Sequence, residues 1–273
     1  MKIDLKTSIF GIVGYPLGHS LSPLMHNTAF RLRGLNAIYL FFETQEIENA
    51  IKGIKALGIK GVSVTIPYKS DVLPFLDRID SLAENIGAVN TIINKEGELI
   101  GYNTDAIGAL KAIKERISPI GKGALIVGAG GAARSIGYML KKEGADLFIA
   151  SRNYRHAKKL AESLGGTGIP MEDIGSLNVD ILINATPVGM YPHTDRCPVS
   201  ASVLRPGMVV MDIVYNPLDT LLLKIAKDRR CITINGLKMF IYQGAEQFRL
   251  WTGLEPPLDT MEKAVRSVLE NDL

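Results

Sequence analysis

The sequence predicts a protein of two α/β domains, each built round a mainly parallel sheet, and three observations carry that expectation. Short apolar, β-branched runs alternate with amphipathic stretches along the chain, the rhythm of consecutive βαβ units. The rhythm breaks near Ser118-Pro119-Ile120-Gly121-Lys122-Gly123 and then begins again. At 273 residues the chain is too long for one small core and suits two domains of ordinary size.

Taken in order, Ser8–Val13 reads as a short strand, followed by a loop with Gly14, Pro16 and Gly18 and a helix from Pro23 to Arg33. Ser22, just before Pro23, has the type and position of a helix N-cap. Ala37–Glu43 is expected as a strand, Ile47–Leu57 as a helix, and Gly61–Ile66 as a strand stopped by Pro67. Asp71–Ile79 and Ser81–Ile86 look helical, and strand Asn90–Asn94 leads to a turn at Lys95–Gly97. A helix and loop cover 104–123. Beyond them come strand Ala124–Val127, a glycine-rich turn, a helix to Lys142, strand Leu147–Ala150 and helix Arg155–Leu164. Strands Ile181–Asn184 and Val209–Ile213 continue the theme, and helices Gly236–Thr252 and Thr260–Leu269 close it. The last helices are expected to return to the first domain, which gives one domain of residues 1–103 with 239–273 and another of 104–238.

Composition narrows the functional classes. Charged residues make up 22% and hydrophobic residues 47%, the balance of a water-soluble globular chain. A net charge of +3 without a basic stripe argues against nucleic acid as a partner and suits small anionic ligands. Cys197 and Cys231 stand far apart, and His19, His26, His156 and His193 have no metal-ligand spacing, so no metal is expected. Neither an export signal nor an apolar run of membrane-spanning length is legible, which predicts a cytoplasmic protein with no membrane partner.

Gly128-Ala129-Gly130-Gly131-Ala132-Ala133 follows an apolar strand and opens a helix, the context in which the GxGxxA fingerprint marks a Rossmann-type dinucleotide site. Gly128 permits the tight turn, Gly130 lets pyrophosphate approach the backbone, and Ala133 lets helix and strand pack closely. The helix N-terminus offers unpaired N–H groups to the phosphates. The following strand ends in Ser151-Arg152-Asn153, with Arg155 and His156 beyond, and carries no carboxylate for a ribose 2′-hydroxyl. A guanidinium there pairs with a 2′-phosphate, which favours NADP (NADPH) over NAD.

Three polar clusters in the first half need a further explanation: His19-Ser20-Leu21-Ser22-Pro23, Val64-Thr65-Ile66-Pro67-Tyr68-Lys69 and Gly101-Tyr102-Asn103-Thr104-Asp105. An isolated lysine or aspartate in a loop is usually just solvated, and neither persuades alone. Together with GAVNT, GAGGAAR, NATPVGM and GLKMFIYQ, in this order and spacing, the clusters resemble the shikimate dehydrogenase family over nearly the whole chain. The resemblance implies an N-terminal substrate domain, a Rossmann-type NADP-binding domain and a cleft between them. It also implies reversible NADPH-dependent reduction of 3-dehydroshikimate to shikimate in aromatic amino-acid (chorismate) biosynthesis, by a monomer or homodimer. By the same resemblance Ser20 and Ser22 hold the substrate carboxylate. Thr65, Asn90, Asp105 and Gln243 bond the ring hydroxyls with Tyr215 nearby, and Lys69 and Asp105 form the catalytic pair. Gly128, Ala129, Gly130, Gly131 and Ala132 wrap the pyrophosphate; Ser151, Arg152, Asn153 and Arg155 meet the adenosine; Thr186, Ile213, Gly236 and Met239 line the nicotinamide.

The chain departs from the family pattern at three places. Ser63 replaces an asparagine, with an effect expected on strand-end bonding only. Lys238 replaces a glycine beside the nicotinamide stretch, and His156 stands at the second arginine position of the adenosine motif; NADP remains the expectation, with the ratio of NADP to NAD use left open. Alternatives are a quinate dehydrogenase preferring NAD, a non-catalytic sensor of the same ligand, and a folate dehydrogenase. The sensor would have lost a lysine or aspartate that this chain keeps, and the folate enzyme has no use for Ser20 and Ser22.

Overall fold

The computed structural model describes residues 3–18 and 20–271; His19 of the first polar cluster lies outside the described residues. The chain divides into two compact units, Met1–Thr104 with Gln243–Asn271, and Asp105–Tyr242.

The first unit runs β1 (Ser8–Gly14), α1 (Ser22–Leu32), β2 (Ala37–Glu43), α2 (Ile47–Ala56), β3 (Gly61–Val64), β4 (Arg78–Ile79), α3 (Ser81–Ile86), β5 (Thr91–Lys95) and β6 (Glu98–Tyr102). Its sheet has the order β2-β1-β3-β5-β6-β4. β1 pairs in parallel with β2 and β3, β4 is parallel to β6, and β5 runs antiparallel to both neighbours. Every residue of the central β3 is buried, Ser63 among them, which obliges its hydroxyl to find partners inside the fold. The β5–β6 hairpin closes on Glu96 and Gly97 at φ 53 and 94, the left-handed pair that matches strand twist in a two-residue turn.

The helix expected over Asp71–Ile79 does not form. Pro74 has no N–H to extend a helix, so one short 3-10 turn, Leu73–Phe75, is all that appears. Arg78–Ile79 then joins the sheet edge as β4, beside Asp77, whose carboxylate accepts from Leu99 N at 2.7 Å and from Lys55 Nζ at 2.8 Å.

The second unit opens within α4 (Thr104–Lys114). It continues through β7 (Gly123–Val127), α5 (Gly131–Lys142), β8 (Asp146–Ala150), α6 (Tyr154–Ser163), β9 (Thr167–Ile169) and β10 (Ile181–Asn184). β11 (Val209–Asp212), α7 (Leu221–Asp228) and β12 (Ile232–Ile234) follow. The unit ends inside α8 (Gly236–Thr252), whose later part belongs with α9 (Leu258–Asn271) to the first unit. Its sheet is parallel throughout, in the order β12-β11-β10-β7-β8-β9. Alternate residues of β7 serve two cores. Ala124 and Ile126 pack with Ile136, Leu140 and Leu160 from α5 and α6; Leu125 and Val127 pack with Leu222, Leu223 and Ala226 from α7. A strand buried on both faces must be apolar at every position, which is why β7 is legible in the sequence. The chain leaves β7 toward β8 and β9, then crosses back to β10, so strand order reverses between β7 and β10. Ligands of doubly wound sheets bind beyond the strand C-termini at such a reversal.

Candidate functional site

The first unit gathers polar side chains beyond the C-terminal end of β3. Thr65 N donates to Val13 O at 2.9 Å, and Lys69 O accepts from Val89 N at 2.7 Å, which ties the loop bearing Lys69 to the residue before Asn90. Asn90 is buried at 2% exposure. Its Oδ1 accepts from Thr104 N at 2.7 Å and from Thr91 Oγ1 at 2.9 Å. Its Nδ2 donates to Thr104 Oγ1 at 3.0 Å and makes a long 3.5 Å contact with Gln243 Oε1. Because a backbone N–H can only donate, Thr104 N fixes which end of the Asn90 amide is oxygen. Asn103 Nδ2 donates to Ala88 O at 2.9 Å. Asp105 follows in the first turn of α4 and is itself buried.

Ser22 is not the helix cap expected of it. α1 begins at Ser22, Leu21 holds the cap position without a side-chain bond, and Ser20 takes over the capping work by accepting from Ser22 N at 3.3 Å. Pro23 explains the shift: its fixed φ suits the first turn, so the helix starts one residue earlier. The two serine hydroxyls sit 3.2 Å apart, a pair of donors at a helix N-terminus.

Ser63 does more than strand-end bonding. Its buried Oγ accepts from Tyr39 Oη at 2.7 Å and donates to Gln247 Oε1 at 2.9 Å. Gln247 was not singled out by sequence reasoning, although it lies one helical turn beyond Gln243 on α8, a spacing that shares a face. His26 stacks on Tyr39 at 4.6 Å and reaches Gln247 Oε1 at 3.3 Å. Complete burial lowers its pKa to about 3, against which the Gln247 bond works only weakly.

In the second unit the glycine fingerprint has the expected geometry. Gly128 has φ +126, and a Cβ there would lie 2.8 Å from Ala185 O, so both conformation and space exclude a side chain. Gly130 holds the N-cap of α5, and a Cβ on it would meet no protein atom within 4 Å. What its missing side chain spares is therefore approach from outside the fold, with Ala129, Gly131 and Ala132 beside it. Ala133 is fully buried against the sheet. Ser151 Oγ donates to Asn153 O at 2.8 Å, while Asn153 Oδ1 caps α6 by accepting from Arg155 N at 3.1 Å and His156 N at 3.4 Å. Arg152, Arg155 and His156 are exposed. The exposed Arg152 and Arg155 guanidinium groups are the positive charges this turn offers an anion.

At the C-terminal ends of β10 and β11, Thr186 Oγ1 donates to Asn184 Oδ1 at 2.6 Å, and Asn184 Nδ2 donates to Asp212 at 2.9 Å. Thr220 Oγ1 and Val214 N complete the shell of Asp212 at 2.7 and 3.0 Å. Burial pushes the Asp212 carboxyl up to about 6 in spite of these three donors. Gly236 starts α8 so close to Ile213 that a Cβ would lie 2.5 Å from the Ile213 carbonyl oxygen. Tyr215 stacks on Phe240 at 4.5 Å, Met239 is buried, and Lys238 Nζ lies 5.9 Å over the Tyr242 ring. Asn184 and Asp212 were not singled out, though Asn184 begins the NATPVGM motif. Among the described residues there is no cluster of potential metal ligands and no helix long and apolar enough to cross a membrane.

Comparison with known proteins places this geometry. Residues 12–92 match the shikimate dehydrogenase substrate-binding domain, 111–215 the shikimate/quinate 5-dehydrogenase domain and 236–266 the shikimate 5-dehydrogenase C-terminal domain. The NADP(+) shikimate dehydrogenase of Pyrococcus furiosus is 49% identical over 264 residues, 96% of either chain. A shikimate dehydrogenase crystallised with NADP+ superposes with a TM-score of 0.94 at 45% identity, over 98% of both chains. The shikimate 5-dehydrogenase of Thermus thermophilus, crystallised with NADP(H) and shikimate, gives 0.89 at 37% identity over 96% of this chain and 100% of that one. On sequence and fold together, the chain belongs to the shikimate dehydrogenase family.

Proposed function

We propose that this chain is an NADP-dependent oxidoreductase that reversibly reduces 3-dehydroshikimate to shikimate, a step of chorismate and aromatic amino-acid biosynthesis. Residues 1–103 with 239–273 bind the substrate and 104–238 bind the nucleotide. The protein works in the cytoplasm on a small molecule, as a monomer or homodimer, without a nucleic-acid or membrane partner.

Ser20 and Ser22 donate to the substrate carboxylate, and Thr65, Asn90, Asp105 and Gln243 bond the ring hydroxyls, with Tyr215 a further candidate from the family pattern. NADPH, when bound, would supply the hydride for the carbonyl carbon. Lys69 would give an ammonium proton to the carbonyl oxygen and, in the reverse direction, its amine would accept the hydroxyl proton. Asp105 accepts from a substrate hydroxyl. Gly128 to Ala132 and the α5 N-terminus receive the pyrophosphate. Ser151, Arg152, Asn153 and Arg155 would meet the adenosine phosphate, and Thr186, Ile213, Gly236 and Met239 would line the nicotinamide.

The observation that carries the reading is a pair of ties, Val89 N to Lys69 O and Thr104 N to Asn90 Oδ1, which anchor the loop bearing Lys69 and the residue before Asp105 to one stretch of chain. The test follows reduced-nicotinamide absorbance with shikimate and with quinate, each against NADP+ and NAD+. Fastest turnover with shikimate and NADP+ is expected. No turnover with shikimate would overturn the assignment, and faster turnover with quinate and NAD+ would replace it by the quinate enzyme.

A further inference from the structure

Every polar atom of the Gln247 amide is committed, and its orientation is dictated by groups with no choice of role. Gln247 is 1% exposed. One end contacts Asn90 O at 3.2 Å and Thr91 Oγ1 at 3.0 Å. A backbone carbonyl can only accept, so that end is the NH2 group. The other end is then the oxygen, which accepts from Ser63 Oγ at 2.9 Å and faces His26 Nε2 at 3.3 Å. Ser63 Oγ can donate to it because Tyr39 Oη donates to Ser63. The same logic sets the histidine tautomer. Nε2 carries the hydrogen toward Gln247, and Nδ1 is the bare nitrogen, which is buried without a partner.

The chain of bonds leads to the substrate face through Thr91. Its hydroxyl accepts from Gln247 Nε2 and donates to Asn90 Oδ1 at 2.9 Å. Gln247 thus grips Asn90 twice, directly at the carbonyl and through Thr91 at the side-chain oxygen. With Oδ1 held by Thr91 and Thr104, one Nδ2 hydrogen goes to Thr104 Oγ1. The other makes only the 3.5 Å contact with Gln243, too long for a strong bond and readily exchanged for a ring hydroxyl.

We propose that Gln247 is a positioning residue for substrate recognition, holding the Asn90 amide so that its second N–H and Gln243 meet the same ring hydroxyl. Ser63 and His26 are the fixed points against which Gln247 braces. The inference rests on the proposed substrate site. Polar networks of this kind act as units, because each bond sets the only remaining direction for the next.

The experiment is a double-mutant cycle on kcat/KM with shikimate and NADP+, using Gln247→Met, Asn90→Ala and the double variant. Methionine keeps the length and unbranched shape of glutamine without its donors or acceptors. Gln247→Met is expected to raise KM for shikimate about tenfold, the equivalent of one hydrogen bond, with KM for NADP+ unchanged. In the Asn90→Ala background the same change should have almost no further effect. Additive losses, or equal rises in both Michaelis constants, would overturn the proposal, since a merely structural glutamine would weaken both variants alike. Should Gln247→Met not fold, Thr91→Val removes only the bridging hydroxyl. It should reproduce part of the shikimate KM effect, again absent without Asn90, and an unchanged KM would overturn the idea equally. A wild-type enzyme inactive on shikimate sinks the parent assignment instead, so the two failures are distinct.

Discussion

Acid should destabilise the first unit through His26, and the size of the effect follows from its surroundings. The ring lies among Phe30, Tyr39 and Trp251, fully buried, with its Nδ1 unpartnered. Burial disfavours the charged form and lowers the pKa from 6.5 to about 3. Between those values the unfolded chain binds a proton that the folded chain refuses. Stability from this group is therefore complete above the unfolded pKa and falls as pH drops through the window toward the folded one. At 1.36 kcal/mol per unit, acidification from about pH 7.5 to about pH 5 removes about 2 kcal/mol, and by about pH 3 roughly 4 kcal/mol. Other groups titrate in the same range, so the assay is a difference. Urea unfolding is followed at both pH values for the wild type and for His26→Phe, which fills similar space among the rings but cannot titrate. The variant should be less stable at neutral pH, having lost the Gln247 contact, yet lose about 2 kcal/mol less on acidification. Equal acid sensitivity in the two proteins would refute the reasoning.

Lys69→Ala should lower turnover by about 10²-fold or more, the scale of a lost acid–base group, with nucleotide affinity unchanged; near-normal turnover would remove its proposed role. Arg152→Ala should raise KM for NADPH far more than for NADH, because only the former has a 2′-phosphate to pair with the guanidinium. Equal changes would dispose of the cofactor argument. Gly61→Ala would set a Cβ 2.3 Å from Trp251 Nε1 and 2.9 Å from Ile92 O, across the bond those two groups make at 3.0 Å. Thermal unfolding should show a loss of about 1–3 kcal/mol from the displaced indole.

How much of this was legible beforehand depended on whether the cause was local. β7 declares itself through the four successive apolar residues Ala124–Val127, which suit a doubly covered strand, and the glycines after it through a turn only glycine can make. The 3-10 turn and β4 did not declare themselves. Amphipathic spacing over Asp71–Ile79 imitates a helix, and only pairing with β6, some twenty residues on, decides that Arg78–Ile79 is a strand. β9, β12 and α7 are short and were passed over for the same reason: the neighbours that stabilise them are remote in sequence.

The candidate site divides along the same line. The residue types at Lys69, Asn90, Asp105 and Gln243, and the fingerprint from Gly128 to Ala133, could be singled out from the order and spacing of motifs, because chemistry restricts which side chains serve. The roles of Ser63, Tyr39, His26 and Gln247 could not. A buried glutamine and a surface glutamine are identical in sequence, and their difference is created by the partners that folding brings from 184 residues away on the chain, as between Ser63 and Gln247. Sequence thus determined which groups are available and where the chain must turn. Tertiary structure alone decided which polar groups lose water, since an unmatched buried donor is far costlier than an exposed one and so compels a single arrangement of bonds.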